Sequence, residues 1–166
     1  MTHRFRLLGP FAVNGFVLVT ITFLLSTAGV AQTTRKALNV APDESPIFQE
    51  YRGVQIGWLA DDVRKKLGDP ANKSDEQDYF IFNDKETAQI LYDKATRKVI
   101  TISVDFSNGA TGVITPQQVF GAEIDAKQDG SKYKMVRYPK LGYWVSYNRT
   151  AGDSPLISVT MQKMAQ

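Results

Sequence analysis

The sequence predicts an α+β fold: an antiparallel β-meander sheet with short helices packed on one face. Three observations predict it. Val99–Phe106 alternates, with Ile100, Ile102, Val104 and Phe106 on one side and Thr101, Ser103 and Asp105 on the other. That period of two marks a strand with one covered and one wet face. Leu59, Val63 and Leu67 recur at helical spacing just before it. Finally, a helix-like segment followed by three strand-like runs occurs twice, about 55 residues apart, as expected of either two α-βββ repeats or one six-stranded sheet.

Taken in chain order, residues 1–31 read as a secretory signal peptide. His3, Arg4 and Arg6 give a positive start, Phe16–Leu25 is an apolar run, and Gly29-Val-Ala31 supplies the small residues of a cut site before Gln32. The run falls short of the roughly 20 residues that span a bilayer, so no stable membrane span is expected after cleavage; retention as an uncleaved anchor is the alternative. Residues 32–46 are polar and aperiodic, a flexible leader. A first α-βββ unit is expected over 47–112. Its helix begins near Leu59, with Asp61 and Asp62 in the first turn and Arg64, Lys65 and Lys66 in the last, matching the helix dipole. Gly68 is placed as a left-handed cap and Pro70 as the stop. Tyr79–Phe82, Thr87–Tyr92 and Val99–Phe106 are its strands. A second, weaker unit is expected over 113–166. Thr115 caps a helix with Pro116 at its first position and Gly121 at its end. Strands follow at Lys132–Tyr138, Gly142–Asn148 and Leu156–Met164.

Composition excludes much chemistry. The chain has no cysteine, and its one histidine, His3, lies in the signal. Ser-His-Asp and Cys-His nucleophilic machinery, His/Cys zinc sites, His- or Cys-ligated haem and disulfides are therefore not expected. No lipid anchor is expected either, since that needs a cysteine. Without Arg4 and Arg6 the 20 basic side chains lead the 17 acidic ones by only one. Such an even balance offers no footprint for nucleic acid, and Arg64-Lys65-Lys66 reads as a solvated helix face. A periplasmic or secreted bacterial protein is expected.

Arg52-Gly-Val-Gln-Ile-Gly-Trp-Leu-Ala-Asp-Asp-Val-Arg-Lys-Lys-Leu-Gly-Asp-Pro70 resembles the opening of SmpA/OmlA (BamE-like) domains, small exported modules. Gly57, Val63, Leu67, Gly68 and Pro70 occupy the places of that pattern, and Tyr79–Phe82, Ile90–Asp93 and Val99–Ile102 resemble the family's strands. The resemblance covers about residues 52–106 and is carried by structural residues. Two departures set limits: Trp58-Leu59 stands where Met-Thr is usual, and the lipoprotein cysteine is absent. A tandem form of the unit also resembles, in architecture, the β-lactamase-inhibitor protein-like fold, whose members bind partners on an aromatic-rich sheet.

The candidate binding residues are Arg137, Tyr138, Tyr143, Trp144 and Tyr147, types that dominate protein-binding hot spots. Tyr143, Val145 and Tyr147 share one face of their strand, with Trp144 and Ser146 on the other. One set must meet the core, and the other either lines a recognition surface or packs beneath loops. The acidic clusters Asp61-Asp62, Asp75-Glu76-Asp78 and Asp84/Glu86 read as solvated turns and helix ends. No catalytic residue, metal ligand or cofactor is expected, and Ser107–Gly112 lacks the Gly-Lys-Ser/Thr ending of a phosphate loop. The expected role is a non-catalytic module that binds an envelope or secreted protein. A carrier or inhibitor holding a small or lipid-like ligand in an apolar pocket between sheet and helix is the alternative. A carboxylate-only hydrolase would need two acids about 5–9 Å apart in a cleft. Intact-mass analysis of the exported chain should show cleavage after Ala31 and a mature N-terminus at Gln32; an uncut mass would mark a retained anchor.

Overall fold

The computed structural model describes residues 46–165. The expected signal peptide and, apart from Pro46, the expected leader lie outside the described residues. Seven strands form a single antiparallel sheet: β1 Asn72–Lys73, β2 Gln77–Asn83, β3 Glu86–Tyr92, β4 Val99–Phe106, β5 Lys132–Tyr138, β6 Tyr143–Arg149 and β7 Ile157–Lys163. Their spatial order is β1-β2-β3-β4-β7-β6-β5. The two meanders, β2-β3-β4 and β5-β6-β7, therefore meet through their last strands, and one continuous sheet results. The seventh strand, β1, has only two residues and pairs Asn72 with Tyr79 and Lys73 with Asp78. So short a segment leaves no periodic signal.

Register decides which side chains share a face. Across the centre, Ile102 faces Met161, Val104 faces Val159 and Phe106 faces Ile157. Outward from there, Ile90 and Ala88 lie beside Ile102 and Val104, while Val145 and Tyr147 lie beside Met161 and Val159. Apart from the partly buried Ile157, which packs against it, these residues belong to one buried cluster, joined by Ala60 and Val63 of helix α1 (Ala60–Leu67) and Val119 of helix α2 (Pro116–Phe120). The predicted alternation in β4 holds from Ile102 onward. It slips at the start of the strand, where a register irregularity between Leu91 and Tyr92 buries Val99 and leaves Ile100 half-exposed.

Helix α1 corrects one detail of the predicted stripe. Ala60 and Val63 are buried and Leu67 is partly so, whereas Leu59 is 47% exposed. Leu59 is the N-cap residue and is drawn aside because Trp58–Ala60 bonds to the strand edge: Val99 N–H donates to Trp58 O, Ala60 N–H to Arg97 O, and Leu59 bridges Lys98. Gly68 caps the helix at φ +89°, ψ −165°, a glycine conformation, but not the left-handed helical one expected. Helix α2 matches its prediction. Thr115 accepts from the Gln118 N–H, the Gln118 side chain accepts from the Thr115 N–H, Pro116 follows the cap, and Gly121 is left-handed at φ +70°. No helix among the described residues is long and apolar enough to cross a membrane.

The opposite face of the sheet carries three rows. One runs Gln77, Leu91, Thr101, Gln162, Trp144, Arg137; the next Tyr79, Gln89, Ser103, Thr160, Ser146, Met135; the third Ile81, Thr87, Asp105, Ser158, Asn148, Tyr133. Ile102→Ala, inside the core, should cost about 2–5 kcal/mol in urea unfolding, whereas Thr160→Ala on this polar face should cost under about 1 kcal/mol. Equal losses at the two positions would mean the faces are assigned the wrong way round.

Candidate functional site

Two buried carboxylates anchor the helical side of the sheet, and neither sits in a solvated turn as the sequence suggested. Asp78, on β2, is 0% exposed. Arg64 of α1 grips it bidentately, Nε donating to Oδ2 at 2.8 Å and Nη2 to Oδ1 at 3.0 Å. Tyr92 of β3 adds a hydroxyl donated to Oδ2 at 2.7 Å, and Arg64 Nη2 also reaches the Ser74 carbonyl. One carboxylate thus ties a helix and two strands. Burial, then the Asp78 bond, pushes the Tyr92 hydroxyl far above the usual tyrosine range, while the Asp78 bond holds the Arg64 guanidinium charged.

Glu86, at the start of β3, anchors the second cluster. Tyr51 donates its hydroxyl to Oε1 at 2.6 Å, and Arg52 Nη2 donates to Oε1 and Oε2 at 2.8 and 2.9 Å. Tyr51 and Val54 exchange both backbone bonds around Arg52 (φ +50°) and Gly53 (φ +82°), a two-residue turn with positive φ at both central positions. A non-glycine residue rarely holds such a conformation. Here it aims the guanidinium at Glu86 and lays it 4.1 Å above the Phe82 ring. Burial pulls the Glu86 carboxyl upward, but the Tyr51 and Arg52 bonds outweigh that and leave it below the ordinary range. Burial, with the Glu86 bond, drives the Tyr51 hydroxyl far upward.

Both carboxylates are engaged by donors on separate elements, so their chemistry is cross-linking. Sequence reading missed the pairing because Arg64 and Asp78, like Arg52 and Glu86, lie apart in the chain. The period was a usable signal: Asp78 falls in phase with Phe80, and Glu86 with Ala88 and Ile90, on the buried side of their strands.

The candidate binding residues divide. Tyr138 (8% exposed) and Tyr147 (3% exposed) belong to the core, so of the two faces that alternation distinguishes theirs is the buried one, and neither of these two candidates offers an exposed contact. Tyr143 is half-buried on the same face, its ring 6.0 Å from that of Tyr138. Arg137 and Trp144 face each other directly across β5 and β6 on the uncovered side. Nearby on that side are Met135 and Tyr133, the latter 50% exposed; neither is among the five candidate binding residues. The floor between the flanks is β4 and β7, carrying Ser103, Asp105, Ser158, Thr160 and Gln162, with Thr101 buried (7% exposed) beside Gln162. Ser103 and Thr160 hydroxyls bond at 2.9 Å, and Ser158 donates to Asp105 Oδ1. Small hydroxyls in the middle thus lie between larger side chains: Tyr79, Ile81 and Leu91 on one flank, Tyr133, Met135 and Trp144 on the other.

Comparison of the chain with protein-family models, curated proteins and solved structures gives no match. The described residues also form clefts at the sheet end and along α1. One, of about 760 Å³, sits at the sheet end among Ile56, Asp93, Lys98, Leu141, Lys163 and Met164; the other, of about 500 Å³, lies along α1 beside Trp58, Leu59, Asp62 and Lys66. No cluster of three metal-ligating side chains occurs among the described residues.

Asp78→Ala should cost about 3–5 kcal/mol, because Arg64 loses its buried partner; denaturant unfolding checks this. Glu86 gives a pH signature. Its folded-state carboxyl is held low, so its contribution is complete above the ordinary glutamate range, about pH 4.3, and is lost as pH falls through the lower folded value. Glu86→Gln should therefore flatten the acid limb of the stability–pH curve below that range, and an unchanged limb would show that the pairing contributes nothing.

Proposed function

We propose that this chain is a non-catalytic protein–protein interaction module of the bacterial envelope, exported to the periplasm or secreted, which binds through the uncovered face of its sheet. The observation that carries the reading is the division of that face into a hydroxyl floor and two flanks of larger side chains, with the buried cluster and its helical residues on the opposite side. Hydroxyls and amides bond well to another protein's polar groups, while Trp144, Tyr133, Met135 and Tyr79 offer apolar area at low entropic cost. Arg137 adds a charged donor beside Trp144. The signal-like residues 1–31 support export, and the absence of cysteine argues against a lipid anchor.

The two meanders are read as two α-βββ units, 47–112 and 113–166. In support, each carries a helix ahead of a three-strand meander, and the meanders β2-β3-β4 and β5-β6-β7 lie symmetrically about the β4–β7 pairing, the two-residue β1 being extra to the first. The resemblance of Arg52–Pro70 to SmpA/OmlA domains fits this reading. A carrier of apolar ligands is less well supported. The α1 cleft takes none of its lining from a strand, and the sheet-end cleft includes Asp93, Lys98 and Lys163.

The test is capture of envelope proteins by the immobilised, signal-processed chain. Ser103→Arg and Thr160→Arg raise the floor without entering the core, and Trp144→Ala strips one flank. Each should abolish retention of the captured protein while leaving the circular dichroism spectrum unchanged. Undiminished capture by all three variants would place the binding surface elsewhere.

A further inference from the structure

We propose that β5 is a docking edge that takes up one extended, acidic strand from a partner protein, lengthening the sheet by β-strand addition. The proposal rests on the protein-binding reading for the nature of its partner, but it uses the border of the sheet instead of its face.

The two borders are built differently. At one end the sheet closes with the two-residue β1; at the other it ends in β5, seven residues long, with no strand beyond it among the described residues. An outer strand presents a row of N–H and C=O groups to anything that can pair with them. Addition of an extended peptide satisfies that row, and side chains at alternate positions then set selectivity.

Charge names the partner's chemistry. From Gly130 to Gly152 the chain holds Lys132, Lys134, Arg137, Lys140 and Arg149 and no aspartate or glutamate. On β5, Lys132 and Lys134 share a side with Val136 and Tyr138, while Arg137 lies on the other side with Tyr133 and Met135. One carboxylate, Glu123, comes within 3.6 Å of Lys132, and the Lys134 ammonium lies 4.8 Å from the centre of the Phe120 ring. The strand's own charged residues are all cations, Lys132 and Lys134 on one side and Arg137 on the other, although Glu123 pairs with Lys132 and Asp129 accepts from Ser131 just before it. Tyr133 and Met135 meanwhile add apolar contact beside the uncovered face. A second copy of this chain is disfavoured at the same border. Pairing two β5 strands at about 4.8 Å would line up three cations from each copy along one ladder.

The probe is a fluorescein-labelled, end-capped peptide, Val-Glu-Val-Glu-Val-Glu-Val, with Val-Lys-Val-Lys-Val-Lys-Val as control. Anisotropy titration of the signal-processed chain should give at least about tenfold tighter binding of the glutamate peptide, weakening as salt rises. Hydrogen exchange should slow at alternate β5 amides and stay unchanged in β1. Lys132→Glu with Lys134→Glu, both at least partly solvent-exposed positions, should reverse the peptide preference without unfolding the chain. Equal binding of both peptides, or protection that bypasses β5, overturns the proposal. So does sedimentation showing a β5-mediated dimer without peptide. Capture of envelope protein that depends on Ser103 and Trp144, with β5 untouched by the peptide, would sink this inference alone and leave the face reading standing.

Discussion

Pairing of β4 with β7 is the constraint on which the rest of this protein depends. It joins two meanders into one sheet and fixes both faces at once, because Ile102–Met161, Val104–Val159 and Phe106–Ile157 fall on one side and Ser103–Thr160 and Asp105–Ser158 on the other. A shift of one residue would turn every hydrophobic side chain of one half toward water. The penalty is large, since Ile102, Val104, Val159 and Met161 are each shut from solvent. The hydroxyl bonds on the wet side agree with the same register. Hydrophobic burial and cross-strand polar pairing therefore select one alignment between them.

The buried carboxylates do for the first half what packing alone does for the second. Helix α1 has only eight residues and buries two small side chains, Ala60 and Val63, which is little area with which to hold a helix. Arg64 supplies the remaining attachment through Asp78. Near the other end of β2, Arg52 and Tyr51 fasten a two-residue turn to Glu86. Ion pairs of this kind offset their own desolvation and add little net free energy. Their value is directional, for a bidentate guanidinium fits one geometry where a methyl group tolerates several. Among the described residues the second half has no counterpart of this kind; α2 is held by its capping box, Val119 and the packing of Phe120.

The fold was legible wherever one periodicity ran uninterrupted. The bounds of Val99–Phe106 and Lys132–Tyr138, the alternation from Ile102 to Phe106 and the Thr115–Gly121 helix emerged as read, because alternation and cap chemistry are local properties of the chain. Leu59 misled because its fate depends on a non-local ladder with Lys98 and Val99. Asp78 and Glu86 misled in the same way: a carboxylate in a polar stretch reads as solvated until an arginine from another element covers it. Among the aromatics, alternation separated Trp144 from Tyr143 and Tyr147 correctly. Only the order of strands in the sheet shows which set is buried, and sequence reading of a single chain does not supply that order.

The position of the central ladder also governs how the chain reaches its native state. Within each meander, neighbours such as Tyr138 and Tyr143 are separated by short loops, so hairpins close quickly. Ile102 and Met161, by contrast, are about sixty residues apart along the chain, and bringing them together carries a loop-closure entropy that is met late. Until then, both middle strands are exposed borders with apolar rows. The stage most prone to intermolecular misassembly is thus the moment before the halves meet, and the strands most open to it become the most protected once folding ends.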